Sequence, residues 1–167
     1  MTKVWDPVVR LFHWGTAAAF LTNYWFIEDG DIHEWLGYGI ACLLFIRIIW
    51  GFVGSQHARF SDFFPTPSKL KCYVTTLVKG EHASTVGHNP IGGLMILTLM
   101  CLLAGISLTG WFMTLDMFWG VPWPEEVHEL LADITQGLVF VHVAVILIMD
   151  IFFKEGLVRA MITGRKK

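Results

Sequence analysis

Three cysteines in 167 residues, none of them spaced as CxxC, leave no disulfide framework and no thiolate cluster for a metal. Cys42 and Cys101 fall in apolar runs and Cys72 in a basic loop, so all three read as small reduced hydrophobes. Charge is scarce as well. Only 16% of residues are Asp, Glu, Lys or Arg, and a net charge of −2 carries no electrostatic footprint for nucleic acid. Internal repeats and low-complexity segments are absent, which excludes repeat arrays and linker-dominated architectures. A cleaved leader is not expected either: only Lys3 precedes Asp6 and Pro7, the first apolar run contains Arg10 and His13, and no small-residue cleavage site follows. That run is expected to remain as a membrane span.

What the chain has in quantity is apolar surface. At 54% hydrophobic, 14% aromatic and a mean hydropathy of +0.57 it lies far from the soluble average. Apolar runs of spanning length occur at about residues 8–27, 32–53, 91–113 and 125–153, and the need to satisfy backbone groups in lipid makes each a helix. The expected fold is therefore all-α and integral to the membrane: a single domain, 1–167, folded as a four-helix up-down transmembrane bundle. Asn89 before Pro90, and Pro124 before Glu125 and Glu126, mark two helix starts. The 54–90 loop, with FFPTPSKLK at its centre, is expected to hold a short surface helix. The tail, 154–167, alternates apolar and basic residues and is expected to lie on an anionic inner leaflet.

Charge sorts by side. All 12 Lys and Arg fall with the two termini and the 54–90 loop, whereas the other side has none and collects Glu28, Asp29, Asp31, Glu34, Asp116, Glu125, Glu126, Glu129 and Asp133. The positive-inside rule then predicts a bacterial inner-membrane protein with both termini cytoplasmic. Trp25, Trp35, Trp50, Trp111, Trp119 and Trp123 lie near span ends, as an interfacial belt requires.

Histidines interrupt the apolar pattern. His128 and His142 are 14 residues apart; at 100° and 1.5 Å per residue they leave one helix face within about 40° of each other and are separated by about 21 Å of a layer roughly 30 Å thick. His13 lies near the cytoplasmic start of the first span and His33 near the outer start of the second. Depth therefore pairs His13 with His142 and His33 with His128. A lone intramembrane histidine has a structural explanation as a hydrogen-bonding group, but two depth-matched pairs point to a ligand. Zinc ordinarily takes four ligands, and neither level offers a third histidine or a cysteine. A b-type haem takes one imidazole on each face, and with no CxxCH run its attachment is non-covalent. Two bis-histidine haems use all four residues: an inner one on His13 and His142, an outer one on His33 and His128.

Gly15, Gly37, Gly39 and Gly137 leave room for a macrocycle edge, although small residues also serve helix packing. Of these, Gly37 and Gly137 are taken as haem-packing positions. Arg47 follows His33 by the same 14 residues and is a candidate for a propionate contact at the inner level, with Arg10 a weaker one; snorkelling is the alternative. His57 and His82 read as surface residues. His88, in GHNPIGG, is either an interfacial capping residue or part of a quinone pocket.

The stretches VWDPVVRLFHW, HEWLGYGIACLLFIRIIWGFVG, GHNPIGGLM, the H-x13-H pair and the ending EGLVRAMITGRKK resemble the bacterial cytochrome b561 family, in particular the branch with the b-type cytochrome subunits of nickel-iron hydrogenases. The resemblance covers nearly the whole chain. It implies ligands on the first, second and fourth spans, paired as His13 with His142 and His33 with His128. It also implies electron transfer between a quinone pool, ubiquinone or menaquinone, and a periplasmic c-type cytochrome or hydrogenase-like subunit, by an electron-transfer protein or quinone-linked oxidoreductase subunit. Lipid is a further expected partner, and a second copy of the chain, in a homodimer, is a candidate one. Some relatives oxidise superoxide at the outer face. Nine carboxylates and no cation there would repel that anion, so this is the second reading. A haem-free bundle using the histidines as a proton or ion relay is the third.

Overall fold

An apolar segment without water satisfies its N–H and C=O groups only along its own helix, and a computed structural model, which describes residues 2–79 and 87–166, is accordingly helical almost throughout. In chain order the elements are Thr2–Lys3 (β1), Pro7–Phe26 (α1), Gly30–Val53 (α2), Phe60–Phe63 (α3), Pro67–Val78 (α4), Pro90–Met113 (α5), Trp123–Phe152 (α6), Leu157–Thr163 (α7) and Arg165–Lys166 (β2), with 3-10 turns at Gln56–Ala58 and Asp116–Phe118. The four long helices begin and end within two residues of the four predicted spans. Among the described residues α2, α5 and α6 are long and apolar enough to cross a membrane. The 20-residue α1 carries Arg10, His13, Thr16 and Asn23, which dilute its apolar character. His82 lies outside the described residues.

Local chemistry explains several boundaries. Asn89 Oδ1 accepts from Gly92 N at 2.7 Å to cap α5, and Asp6 Oδ1 accepts from Val9 N at 3.0 Å to cap α1. Thr66 caps α4, the expected surface helix, with Pro67 in its first turn and no residue buried.

Inward faces follow a four-three alternation. On α1 it runs Val9, His13, Thr16, Phe20, Asn23; on α2 His33, Gly37, Ile40, Leu44, Arg47; on α6 His128, Leu131, Thr135, Leu138, His142. Val9, Thr16, Phe20, Asn23, Ile40, Leu44, Arg47 and Thr135 are buried, and the four histidines are half-buried. Each ligand candidate therefore occupies a core position of its helix, while Phe45 and Phe140, turned well away from the seams of α2 and α6, are exposed, as lipid-facing side chains would be.

The chain divides into two compact units. The first comprises residues 1–10, 49–98 and 142–167. Its apolar centre is Val4, Trp5, Val9, Ala58 and Ala160, with Trp50 and Met161 packed against them. β1 pairs antiparallel with β2, Thr2 opposite Lys166 and Lys3 opposite Arg165. Gly164 ends α7 with φ +78°, where a Cβ would lie 2.7 Å from the Trp5 carbonyl, so glycine is required. Asp6 Oδ2 accepts from Trp50 Nε1 at 2.9 Å and from the Ser55 hydroxyl, and Lys166 pairs with Glu155. The basic tail is tied to the N-terminus by the β1–β2 pairing and by bonds from Val4 N and Trp5 N to Gly164 O, an arrangement its apolar–basic alternation did not announce.

The second unit comprises residues 11–48 and 99–141, and its four helical segments pack through small residues and polar links. A Cβ on Gly15 would stand 3.0 Å from Leu43, and one on Gly105 2.9 Å from Leu131, which marks close approaches of α1 to α2 and of α5 to α6. Tyr24 donates to Asp133 at 2.8 Å, joining α1 to α6.

Candidate cofactor site

Within the second unit α2 and α6 bring His33 and His128 together, their ring centroids 6.1 Å apart and their planes 56° to one another. Each ring is held by its Nδ1. His33 Nδ1 lies 2.8 Å from the Ile27 carbonyl, and His128 Nδ1 lies 3.0 Å from the Ile106 carbonyl and 3.1 Å from the Thr109 hydroxyl. A carbonyl only accepts, so in both rings Nδ1 carries the proton and Nε2 keeps its lone pair. This is the arrangement in which a metal-binding histidine is held by an outer hydrogen bond, which fixes tautomer and ring orientation.

The geometry fits an iron porphyrin. Two imidazoles bonded at about 2.0 Å to opposite sides of one metal have centroids about 6 Å apart. Room exists beside them as well: a Cβ on Gly37, one turn beyond His33 on the same seam, would meet nothing within 4 Å among the described residues. Gly137 is equally open, but nine steps from His128 turn the helix by about 180°, so its open side faces away from that ring. Asn23 donates from Nδ2 to the His33 carbonyl at 3.0 Å. Its buried Oδ1, like Thr16 Oγ1 and Gln136 Oε1, has no hydrogen-bond partner among the described residues. Buried oxygens of this kind are costly in an apolar interior unless a further group meets them.

Sequence reasoning missed Asn23, Thr109 and Gly110. Asn23 carried a signal, being a polar residue inside an apolar span. The Ile27 and Ile106 carbonyls carried none, since every residue has one. Gly110 lets α5 lie against the imidazole, because a Cβ there would be 3.2 Å from His128 Cε1.

Other predicted residues are placed as follows. His13, half-buried in the second unit, has Trp14 edge-on at 4.8 Å; His142 is half-buried in the first. Arg47 is 2% exposed. Arg10 Nε donates to Met161 O at 3.3 Å and Nη2 to Ile162 O, so its guanidinium covers the last-turn carbonyls of α7, a structural role the sequence did not suggest. His88 lies between aromatic neighbours, its ring 4.4 Å from Trp5 and 4.7 Å from Phe63.

Comparison with known proteins agrees with this chemistry. The family model described as prokaryotic cytochrome b561 matches residues 4–164. A probable Ni/Fe-hydrogenase B-type cytochrome subunit from Rhizobium leguminosarum bv. viciae is 26% identical over 218 aligned positions, which cover 98% of this chain and 87% of the relative. No solved structure matches the chain.

Proposed function

From the premise that this chain belongs to the prokaryotic cytochrome b561 family, and is a membrane b-type cytochrome of electron transfer, we propose that it holds two bis-histidine haems and conducts electrons across the bacterial inner membrane between the quinone pool and a redox partner on the outer side. The observation that carries this reading is the His33–His128 pair, two imidazoles 6.1 Å apart with both Nδ1 protons directed to main-chain carbonyls. His13 and His142 are the second ligand pair, on the same helical register argument. All four long helices span the membrane, α1 included, with both termini cytoplasmic.

Bound haem supplies reversible one-electron exchange at iron. The rest is the chain's own work. His33 and His128 hold the outer group, Ile27, Ile106 and Thr109 fix their rings, and Gly37 keeps space open beside them. Arg47, buried at the inner end of the α2 seam, is placed to bind a propionate and to favour the reduced state electrostatically. His88 supplies a polar edge and Trp5 and Phe63 supply aromatic faces for a quinone head at the inner side.

The partner is a hydrogenase-like subunit, as the name of the R. leguminosarum relative suggests, and the nine outer carboxylates favour a basic docking face on it. Electrons then enter outside and leave to quinone. Family membership sets aside the haem-free relay, and the anionic outer field keeps superoxide oxidation second. The test is to mix the dithionite-reduced protein with a soluble quinone analogue and, separately, the oxidised protein with its quinol. Rapid loss of the reduced α-band in the first mixture is expected. Failure of both exchanges would refute the quinone-linked role, and enzymically generated superoxide driving quinone reduction would favour the second reading.

A further inference from the structure

We infer that Thr109, on the helix that contributes no axial ligand, is a positioning residue for His128 and sets how strongly that imidazole donates to iron. The inference rests on the reading of His33 and His128 as the outer ligand pair.

The Thr109 side chain is buried at 6% exposure, and its hydroxyl lies 2.9 Å from Gly105 O, 3.1 Å from Ile106 O and 3.1 Å from His128 Nδ1. A hydroxyl has one proton, and both carbonyls only accept, so that proton goes back into the α5 backbone. Toward His128 the oxygen is left with lone pairs alone. The Nδ1–H of His128 is therefore shared between the Ile106 carbonyl and the Thr109 hydroxyl, two acceptors on adjacent turns of one helix. Gly110 allows the approach: with any side chain there the ring would be crowded at Cε1. Thr109 and Gly110 together form a seat for one edge of the imidazole.

An acceptor at Nδ1 raises the basicity of Nε2, and a more basic ligand stabilises ferric over ferrous iron. Removing the Thr109 lone pairs while keeping the side-chain volume leaves the Ile106 carbonyl as the single acceptor, weakens Nε2 donation, and raises the outer haem's potential. A residue that only packed, or only bonded its own backbone, would leave that potential unchanged.

The experiment is a spectroscopic redox titration of the full-length purified protein and its Thr109→Val and Thr109→Ser variants. In Thr109→Val the ferrous-to-ferric ratio of the outer haem at a fixed ambient potential should rise several-fold, the inner haem should titrate as before, and Thr109→Ser should restore the original curve. Titration of Thr109→Val identical to the parent, or failure of Thr109→Ser to restore it, overturns the inference. Should Thr109→Val retain only one haem, Thr109→Ala, which removes the hydroxyl without crowding the ring, is titrated in its place: a raised outer potential supports the role of Thr109, and an unchanged one overturns it. His128→Ala separates the layers: retention of both haems there refutes the ligand assignment itself, whereas loss of one haem with an unresponsive Thr109→Val refutes only the role of Thr109.

Discussion

His128, a proposed haem ligand, shows how tightly single residues constrain one side chain. Its imidazole is fixed through Nδ1 by α5, and its Cε1 edge rests where Gly110 has no side chain. A methyl group at 3.2 Å is closer than ordinary van der Waals contact, and the neighbour that must yield is a ring already held by two acceptors. Gly110→Ala is therefore expected to tilt His128 off its seat and lower haem content toward one per chain, with the remaining haem that of the His13–His142 pair. Haem-to-protein ratio measured beside the parent checks this; full retention of two haems with unshifted spectra would show that the ring has slack. Arg47 makes a complementary point. At 2% exposure it shares the α2 seam with His33, Gly37, Ile40 and Leu44, so the proposed propionate contact would fall on a buried cation.

Among the elements, the start of α1 is held by bonds from several sides. Burial alone would raise the Asp6 pKa, but hydrogen bonds from Ser55, Trp50 and the backbone N–H groups of Val9 and Val8 outweigh it and hold the carboxyl below its ordinary value. A carboxylate lowered on folding stabilises the fold above its unfolded pKa and loses that contribution as pH falls through the folded one. Asp6→Asn is accordingly expected to lower the melting temperature at neutral pH, by the equivalent of about 2 kcal/mol for charge-assisted bonds, with the gap to the parent closing below about pH 4. Thermal melts of both proteins between pH 3 and 7 test this; a gap independent of pH would mean that the bonds do not need the charge. Much of the helical framework was legible beforehand. Long apolar runs, Asn89–Pro90 and the Pro124–Glu126 start bracket the observed helices within two residues, because lipid leaves the backbone no alternative. The four-three seams through His13, His33 and His128 were also open to inspection. The tie of the tail to the N-terminus was not, since Arg10 meets α7 through main-chain carbonyls that leave no trace in side-chain pattern. The Nδ1 acceptors of His33 and His128 escaped for the same reason.

At the scale of the whole molecule, charge asymmetry is the dominant feature. Glu34 adjoins His33 and Glu129 adjoins His128 in the sequence, and the proposed topology assigns nine carboxylates to the outer side and Arg47, the basic loop and the tail to the inner side. Negative surroundings favour ferric iron and positive ones ferrous, so the inner haem is expected to have the higher potential. Redox titration of His33→Ala and His142→Ala, each retaining one haem, orders the two; a higher potential for the haem left in His142→Ala would reverse the assignment. That order would draw electrons entering on the outer side inward to quinone.

Haem stoichiometry tests the central claim most directly. A pyridine haemochrome assay on the purified full-length chain should give two haems b per polypeptide, with one lost on replacing any of His13, His33, His128 or His142 by alanine. One haem or fewer in the parent protein, or two in any of those four variants, would contradict a bundle that clamps its cofactors between paired histidines at two levels.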